Sequence, residues 1–470
     1  MGFLMRCLYC GLLQDEPAGV KACARCGGEL VFEADRLKGQ PESYISAQME
    51  LDQVYAPSGK MIDRFILFSI RSPKEVPDKF KTKRHKQRPA VNFNPVLDRS
   101  GSMHGIKLDY SKEAIRHSLN YLKEGDVFSL TMYDNEITSL FEPRIIFQEF
   151  LEEVEKALPA IHAGGSTALH AGLETGIQHA GKLTRDANLV LLLSDGLANQ
   201  GVTDLEVIGL SAKEARNRGI TVSTIGVGLD YNEALMSVVA LQGGGRFYHI
   251  EDPHQIPAFI AGELGEAANW AGKALEIHLK LPMGASAMAL SEVYPLTQTG
   301  DEVKVTIGNL PCDTSLEIPV RVSFPSQKTG AKLQIEGDLS FAAPSDTQIT
   351  TSLNPVTLRI MERSAFLPNS GVVEEVLYRV LQQRKYASLM NINHAMNIRG
   401  RDAVKEEKNT VEELREYALH LGEERAEYEL HELNMRISDI HGPSNLSKTS
   451  VYNSYQNMRG QKDFLKRKGR

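Results

Sequence analysis

Asn94-Pro95-Val96-Leu97-Asp98-Arg99-Ser100-Gly101-Ser102-Met103 sets a carboxylate and two hydroxyls at alternate positions, directly after an apolar run and directly before an amphipathic one. On a tight turn at a strand end these three side chains point the same way. They offer only hard oxygen donors, which suit magnesium, manganese or calcium rather than zinc or copper. Two later stretches extend the pattern. Ala163-Gly164-Gly165-Ser166-Thr167 supplies a second hydroxyl loop, and Leu191-Leu192-Leu193-Ser194-Asp195-Gly196 ends another apolar strand in a carboxylate. Each run alone reads equally well as a helix cap or a turn. In an open α/β sheet, however, ligands collect at the carboxyl ends of strands, so three such loops can converge on one ion.

In this order the DxSxS, GGST and SDG runs resemble the metal-ion-dependent adhesion site of a von Willebrand factor type A (vWA) domain of prokaryotic type, over roughly residues 90–270. The resemblance implies a divalent ion, magnesium with manganese or calcium as substitutes, bound directly or through water by Asp98 and Asp195. It also implies that Ser100, Ser102 and Thr167 supply hydroxyls. With two carboxylates against a divalent cation the ion stays electrophilic, and its open position takes an acidic residue of a partner protein. Prokaryotic proteins of this type act as scaffolds, often beside ATPases or signalling kinases and phosphatases; that neighbourhood is analogy.

Composition frames the rest. A chain of 470 residues with 42% hydrophobic content is long enough for several cored domains. A net charge of −7 gives no global argument for nucleic acid or an anionic membrane. Met1 to Cys10 lacks the apolar core and cleavage site of a signal peptide. No apolar run approaches the roughly 20 residues that span a bilayer, so the expected compartment is the cytoplasm.

Cysteine usage agrees. Cys7-Leu8-Tyr9-Cys10-Gly11 and Cys23-Ala24-Arg25-Cys26-Gly27 are two CxxC pairs, each followed by the glycine that permits a tight turn around a thiolate. They resemble a zinc ribbon over residues 1–30, with Cys7, Cys10, Cys23 and Cys26 as zinc ligands. Two disulfides would conflict with the absent export signal. Arg6, Lys21 and Arg25 are balanced by Asp15, Glu16 and Glu29, so the ribbon presents no basic face for phosphate. Cys312 has no partner and reads as a buried apolar residue.

The pattern predicts a multidomain chain: a doubly wound α/β vWA domain inserted into a β-sandwich. Residues 31–46 read as a linker. Residues 47–72 hold the first sandwich strands, including Met61 to Arg71, and 271–362 hold the rest, in apolar-alternating runs separated by Gly, Pro or Asn turns. Such an insertion would put the metal site at the far end, away from both connections. Residues 73–89 form a basic loop, with six positive charges between Lys79 and Arg88. Within 90–270 strands and helices alternate; Thr203-Asp204-Leu205-Glu206 reads as a capping box, Gly243-Gly244-Gly245 as a turn before the last strand, and Pro253 to Trp270 as the final helix. Residues 370–440 carry apolar positions at helical spacing and read as a helical hairpin or bundle. Residues 441–470, rich in Ser, Asn and Gly and basic at the end, read as a disordered tail.

The functional expectation is an intracellular protein–protein interaction module or scaffold that is not an enzyme. His104, His162, His170 and His179 fall in or near the metal loops, but no nucleophile motif accompanies them, and they read as loop or surface residues. Two alternatives stay open. One is a metal-dependent hydrolase using the same ion, which needs a water-activating base. The other is nucleic-acid binding through the ribbon and basic segments.

Overall fold

The computed structural model describes residues 2–7, 13–17, 20, 22, 30–32, 43–81, 89–195, 198–228, 231–250, 256–267, 269–290, 293–399, 404–440 and 444–458. At the N-terminus β1 (Gly2–Cys7) pairs antiparallel with β2 (Leu13–Pro17) and with β3 (Leu30–Phe32). Cys7 is the last residue of β1 and lies opposite Leu30. Cys10, Cys23 and Cys26 lie outside the described residues, as do residues 82–88 of the basic loop.

Next come β4 (Ser46–Leu51), β5 (Tyr55–Pro57) and β6 (Ile62–Arg71), and then the α/β unit. Its strands are β7 (Val91–Asp98), β8 (Val127–Tyr133), β9 (Ile137–Ile145), β10 (Ala187–Ser194), β11 (Ile220–Val227) and β12 (Gly244–Ile250). They form one sheet in the order β12-β11-β10-β7-β8-β9, parallel except for the antiparallel edge strand β9. All eight residues of β7 and all seven of β8 are buried. That is the signature of parallel strands covered on both faces.

Six helices provide the cover: α1 (Ile106–Leu119), α2 (Gln148–Ala157), α3 (Leu169–Lys182), α4 (Leu205–Asn217), α5 (Glu233–Gln242) and α6 (Ile256–Ala267). Alternation along each strand divides the core. Phe93, Leu97, Leu189 and Leu191 pack with Leu108 and Ile115 of α1, Phe150 of α2 and Ile260 of α6. Val96, Val190 and Leu192 face Leu173 and Ile177 of α3, Ile208 of α4 and Leu235 of α5. The observed arrangement is the expected doubly wound α/β unit. The N-cap of α4 is Asp204, whose carboxylate accepts from the Glu206 and Val207 amides, so the cap is a single acidic residue rather than a box opened by Thr203. The final helix is shorter than the apolar run suggested: α6 ends at Ala267, and Trp270 already begins a strand.

Beyond it lie β13 (Trp270–Lys280), β14 (Ser286–Ala289), β15 (Leu296–Thr299), β16 (Glu302–Pro311), β17 (Ser315–Phe324), β18 (Lys332–Ala342), β19 (Gln348–Ser352) and β20 (Val356–Met361). They join the early strands. Ten residues of β6 pair antiparallel with β17, from Ile62 opposite Phe324 to Arg71 opposite Ser315, and β5 runs parallel to β20. One sheet has the order β14-β17-β6-β4; the other runs β15-β16-β13-β18-β20-β5, with β19 on β18. Ile66, Phe68 and Ile70 of β6 share a hydrophobic cluster with Ile277 and Leu279 of β13 and Leu339 and Phe341 of β18. Chain on either side of the α/β unit thus completes common sheets.

Four helices follow: α7 (Glu374–Arg399), α8 (Val404–Ala418), α9 (Glu423–Ile440) and α10 (Ser444–Met458). Val376 and Val380 of α7 cover Phe65 and Leu67, the opposite face of β6. Lys385, buried on α7, is held by Glu429 and Glu432 of α9, each at 2.6 Å. Helix α10 occupies residues 444–458 of the stretch 441–470 that was expected to be a disordered tail; residues 441–443 and 459–470 lie outside the described residues. The helix is polar in composition, but Val451 and Tyr455 lie four residues apart, on one helix face, and both are buried. The Tyr455 ring meets Phe247 edge-on, its hydroxyl donates to the Gly245 carbonyl at 2.8 Å, and Gln456 Nε2 donates to the Phe247 carbonyl at 3.2 Å. Two carbonyls of the β12 edge are thereby satisfied by a helix.

Candidate metal centre

Strands β7 and β10 are neighbours, so Asp98, the last residue of β7, and Asp195, the residue just after β10, emerge side by side. Both are fully buried. The turn after β7 folds back on its own carboxylate: the Ser100 amide donates to Asp98 Oδ1 at 2.8 Å. The other oxygen, Oδ2, accepts from the Ser194 hydroxyl at 2.6 Å. Ser100 Oγ lies 3.2 Å from Ser102 Oγ, and Ser102 Oγ donates to Asp195 Oδ1 at 2.8 Å. Asp98, Ser100, Ser102 and Asp195 therefore form one connected set of hard oxygens. Ser102 is exposed, which opens the set to solvent on one side.

The hydroxyl loop before α3 is docked onto this turn by its backbone. Gly101 donates to the Gly165 carbonyl at 3.1 Å, and Gly164 donates to the Arg99 carbonyl at 2.8 Å. Gly165 has φ +78°, and a Cβ there would lie 2.2 Å from Asn135 Oδ1, so only glycine fits. Thr167 follows, buried, its amide held by Asn199 Oδ1 at 2.8 Å. Beneath the loop Arg99 pairs with Asp134 at 3.1 Å.

Electrostatics favour a cation here. Burial pushes the Asp98 carboxyl above its ordinary range and the neighbouring Asp195 charge adds to this, against hydrogen bonds from Ser100 and Ser194. Burial, with the Asp98 charge, also raises Tyr133 well above the ordinary phenol value. Two buried acids flanked by hydroxyls suit a hard divalent ion, which would favour their ionised forms. Among the described residues no group of three or more His, Cys, Asp and Glu side chains forms a metal cluster; the set at Asp98 holds only two acids and relies on hydroxyls.

Sequence reasoning missed three participants. Ser194 was read only as the neighbour of Asp195, yet it holds Asp98. Asn199 orients the Thr167 amide. Lys107, in the first turn of α1, bonds Asp195 Oδ2. The motif DxSxSxxxxK carried that signal, since position 107 faces the strand end once α1 is in place. Among the histidines, His179 is not a surface residue. It is buried between Thr131 Oγ1 and Ser139 Oγ, each at 3.3 Å, and its Nε2 lies 3.4 Å from Glu142.

The family model described as "von Willebrand factor type A domain" matches residues 95–261, which lie within this doubly wound unit. An uncharacterised protein of Synechocystis is 27% identical over 320 residues, covering 64% of this chain and 73% of that protein. The uncharacterised protein YfbK of Escherichia coli is 32% identical over 188 residues, which is 39% of this chain and 32% of YfbK. Inter-alpha-trypsin inhibitor heavy chain H1 of Sus scrofa is 27% identical over 218 residues, 45% of this chain and 24% of that protein. The chain thus spans only a minor part of the last two. Two solved prokaryotic structures share the fold. The von Willebrand factor type A protein of Catenulispora acidiphila superposes with a TM-score of 0.59 at 15% identity, over 90% of this chain and 98% of that one. The ArnB paralogue VWA2 of Sulfolobus acidocaldarius gives 0.54 at 18%, over 89% and 98%. Domains of this family generally serve protein–protein interaction. No helix among the described residues is long and apolar enough to cross a membrane.

Proposed function

We propose that the chain is an intracellular interaction scaffold that captures an acidic residue of a partner protein through a divalent cation, magnesium or manganese, held by Asp98, Ser100, Ser102, Thr167 and Asp195. The observation that carries this reading is the pair of buried carboxylates on adjacent strand ends, joined through the Ser100 and Ser102 hydroxyls. When bound, the cation supplies an electrophilic coordination position for the partner's carboxylate. Asp98 and Asp195 neutralise part of its charge, the hydroxyls orient it, and exposed Ser102 marks the open side. Ile106, 62% exposed at the start of α1, offers an apolar contact beside it. The same reading assigns zinc to Cys7, Cys10, Cys23 and Cys26 on the strength of their CxxC spacing.

Purified wild type and Asp98→Ala, each with magnesium or with chelator, test the proposal. Wild type should bind one divalent ion per chain in calorimetry, and Asp98→Ala should not, with unchanged far-UV circular dichroism. Partners captured from lysate of the source organism should disappear in both the variant and the chelated sample. Identical capture in all four samples would sink the metal-bridged reading and turn attention to the basic loop and the helices.

A further inference from the structure

We propose that Lys107 is a built-in cation of this centre, exchanged for the divalent ion, and that it sets how tightly that ion is held. The inference rests on the metal-site reading above. Asp195 is fully buried, and both its oxygens are engaged: Oδ1 by Ser102, Oδ2 by the Lys107 ammonium. The lysine side chain is itself only 22% exposed. Its seat is shaped by backbone. Gly228, just past the end of β11, has φ +81°, and a Cβ there would lie 3.1 Å from Lys107 Cε and 3.4 Å from Nζ. The Gly228 amide is fixed to the Ile250 carbonyl at 3.0 Å, so that wall cannot easily withdraw. Arg99, next to Asp98 in the chain, is paired with Asp134.

Charge counting gives the consequence. Asp98 and Asp195 alone would present two negative charges to an arriving ion; with the ammonium seated, the site presents one. A divalent ion that takes Asp195 must displace the ammonium or bind against its repulsion, and either route lowers affinity. Without the divalent ion, the same ammonium compensates Asp195, which would otherwise be a buried charge without a cation. Lys107 therefore keeps the ion-free domain folded and makes ion binding weaker and reversible.

The test uses the full-length chain and manganese as probe. Lys107→Met removes the charge with little loss of volume, Lys107→Gln is a second neutral variant should the first fail to fold, and Lys107→Arg keeps the charge. Calorimetry should show manganese held at least about tenfold more tightly by the neutral variants, with Lys107→Arg near wild type. In chelator the neutral variants should melt below wild type and recover with manganese. Manganese binding by Lys107→Met alone, with none detectable in wild type, would support the proposal most strongly. Equal or weaker binding by the neutral variants, with wild type binding normally, would overturn the exchange while leaving the metal site standing. No binding by wild type and variants alike would remove both.

Discussion

Asp186 and Asp195 stand at opposite ends of β10. Asp186, just before the strand, accepts from the Ala90 amide at 3.1 Å and lies 3.4 Å from Lys273 Nζ, so the chain entering the α/β unit and the chain leaving it meet at one carboxylate. Asp195 follows the strand's last residue and belongs to the candidate metal centre. Eight intervening residues put roughly 25–30 Å between them. The connections to the other sheets are thus remote from the centre. Asp186→Ala should cost about 1 kcal/mol or less, because the pair is partly exposed. Faster hydrogen exchange near residues 90 and 273, with divalent-ion affinity at the wild-type value, is the expected readout; a change in ion affinity would contradict the separation.

Gly176 of α3 packs against β7 so closely that a Cβ would lie 2.2 Å from Val96 Cγ2. Both positions are buried. Gly176→Ala should therefore lower stability in urea by about 1–3 kcal/mol through overpacking, despite the better helix propensity of alanine. Adding Val96→Ala should return part of the loss, since the clashing methyl is gone. Simple additivity of the two costs would refute the contact.

Burial holds His179 below the ordinary imidazole value, while the Glu142 charge partly opposes the shift. The unfolded chain takes up this proton first as pH falls. Stability from the neutral ring is thus complete above about pH 6.5 and is lost as pH falls through the depressed folded value, at no more than about 1.4 kcal/mol per pH unit. Urea midpoints between pH 7.5 and 5 should fall for wild type and fall less steeply for His179→Gln. Parallel curves would show that the ring does not titrate differently in the fold.

Lys448 of α10 is buried on the α/β unit, 2.7 Å from Glu233 and 2.5 Å from the Tyr231 carbonyl. Lys448→Met should remove the ammonium from that carboxylate and cost about 3 kcal/mol. Tyr455→Phe should cost about 1 kcal/mol by stripping the Gly245 carbonyl of its donor. Exchange of the β12 amides should accelerate in both variants if α10 is the cover of that edge, and protection at wild-type level would refute it.

Much of the candidate centre was legible because its signals are local. Alternation in the DxSxS run aims three oxygens from one turn, and SDG follows the apolar run of the buried strand β10; the GGST loop instead follows α2 and a short 3-10 turn and leads into α3. The unbroken apolarity of Leu189 to Leu193 announced a parallel strand covered on both faces, which β10 is. Ser194 was not legible, since its partner lies 96 residues away and no local pattern distinguishes it from any strand-end serine; Lys107 stands at a fixed spacing after DxSxS, but its partner, 88 residues on, is set only by the fold. Helix α10 was read as disordered because its polar composition outweighs a stripe of two apolar residues. Only the apolar wall around Phe247 makes that stripe sufficient.

By itself, then, the amino-acid sequence determined the α/β unit, its oxygen-bearing loops and the division of the chain up to about residue 440 into strands and helices. Steric preference and apolar periodicity act over a few residues, so these are written locally. Tertiary structure alone decided that a lysine sits on Asp195, that β6 and β17 pair across the whole α/β unit, that α7 buries the outer face of β6, and that α10 closes the β12 edge. Each depends on how segments far apart in the chain meet, and in the β6–β17 pair a shift of one residue would turn every side chain to the other face.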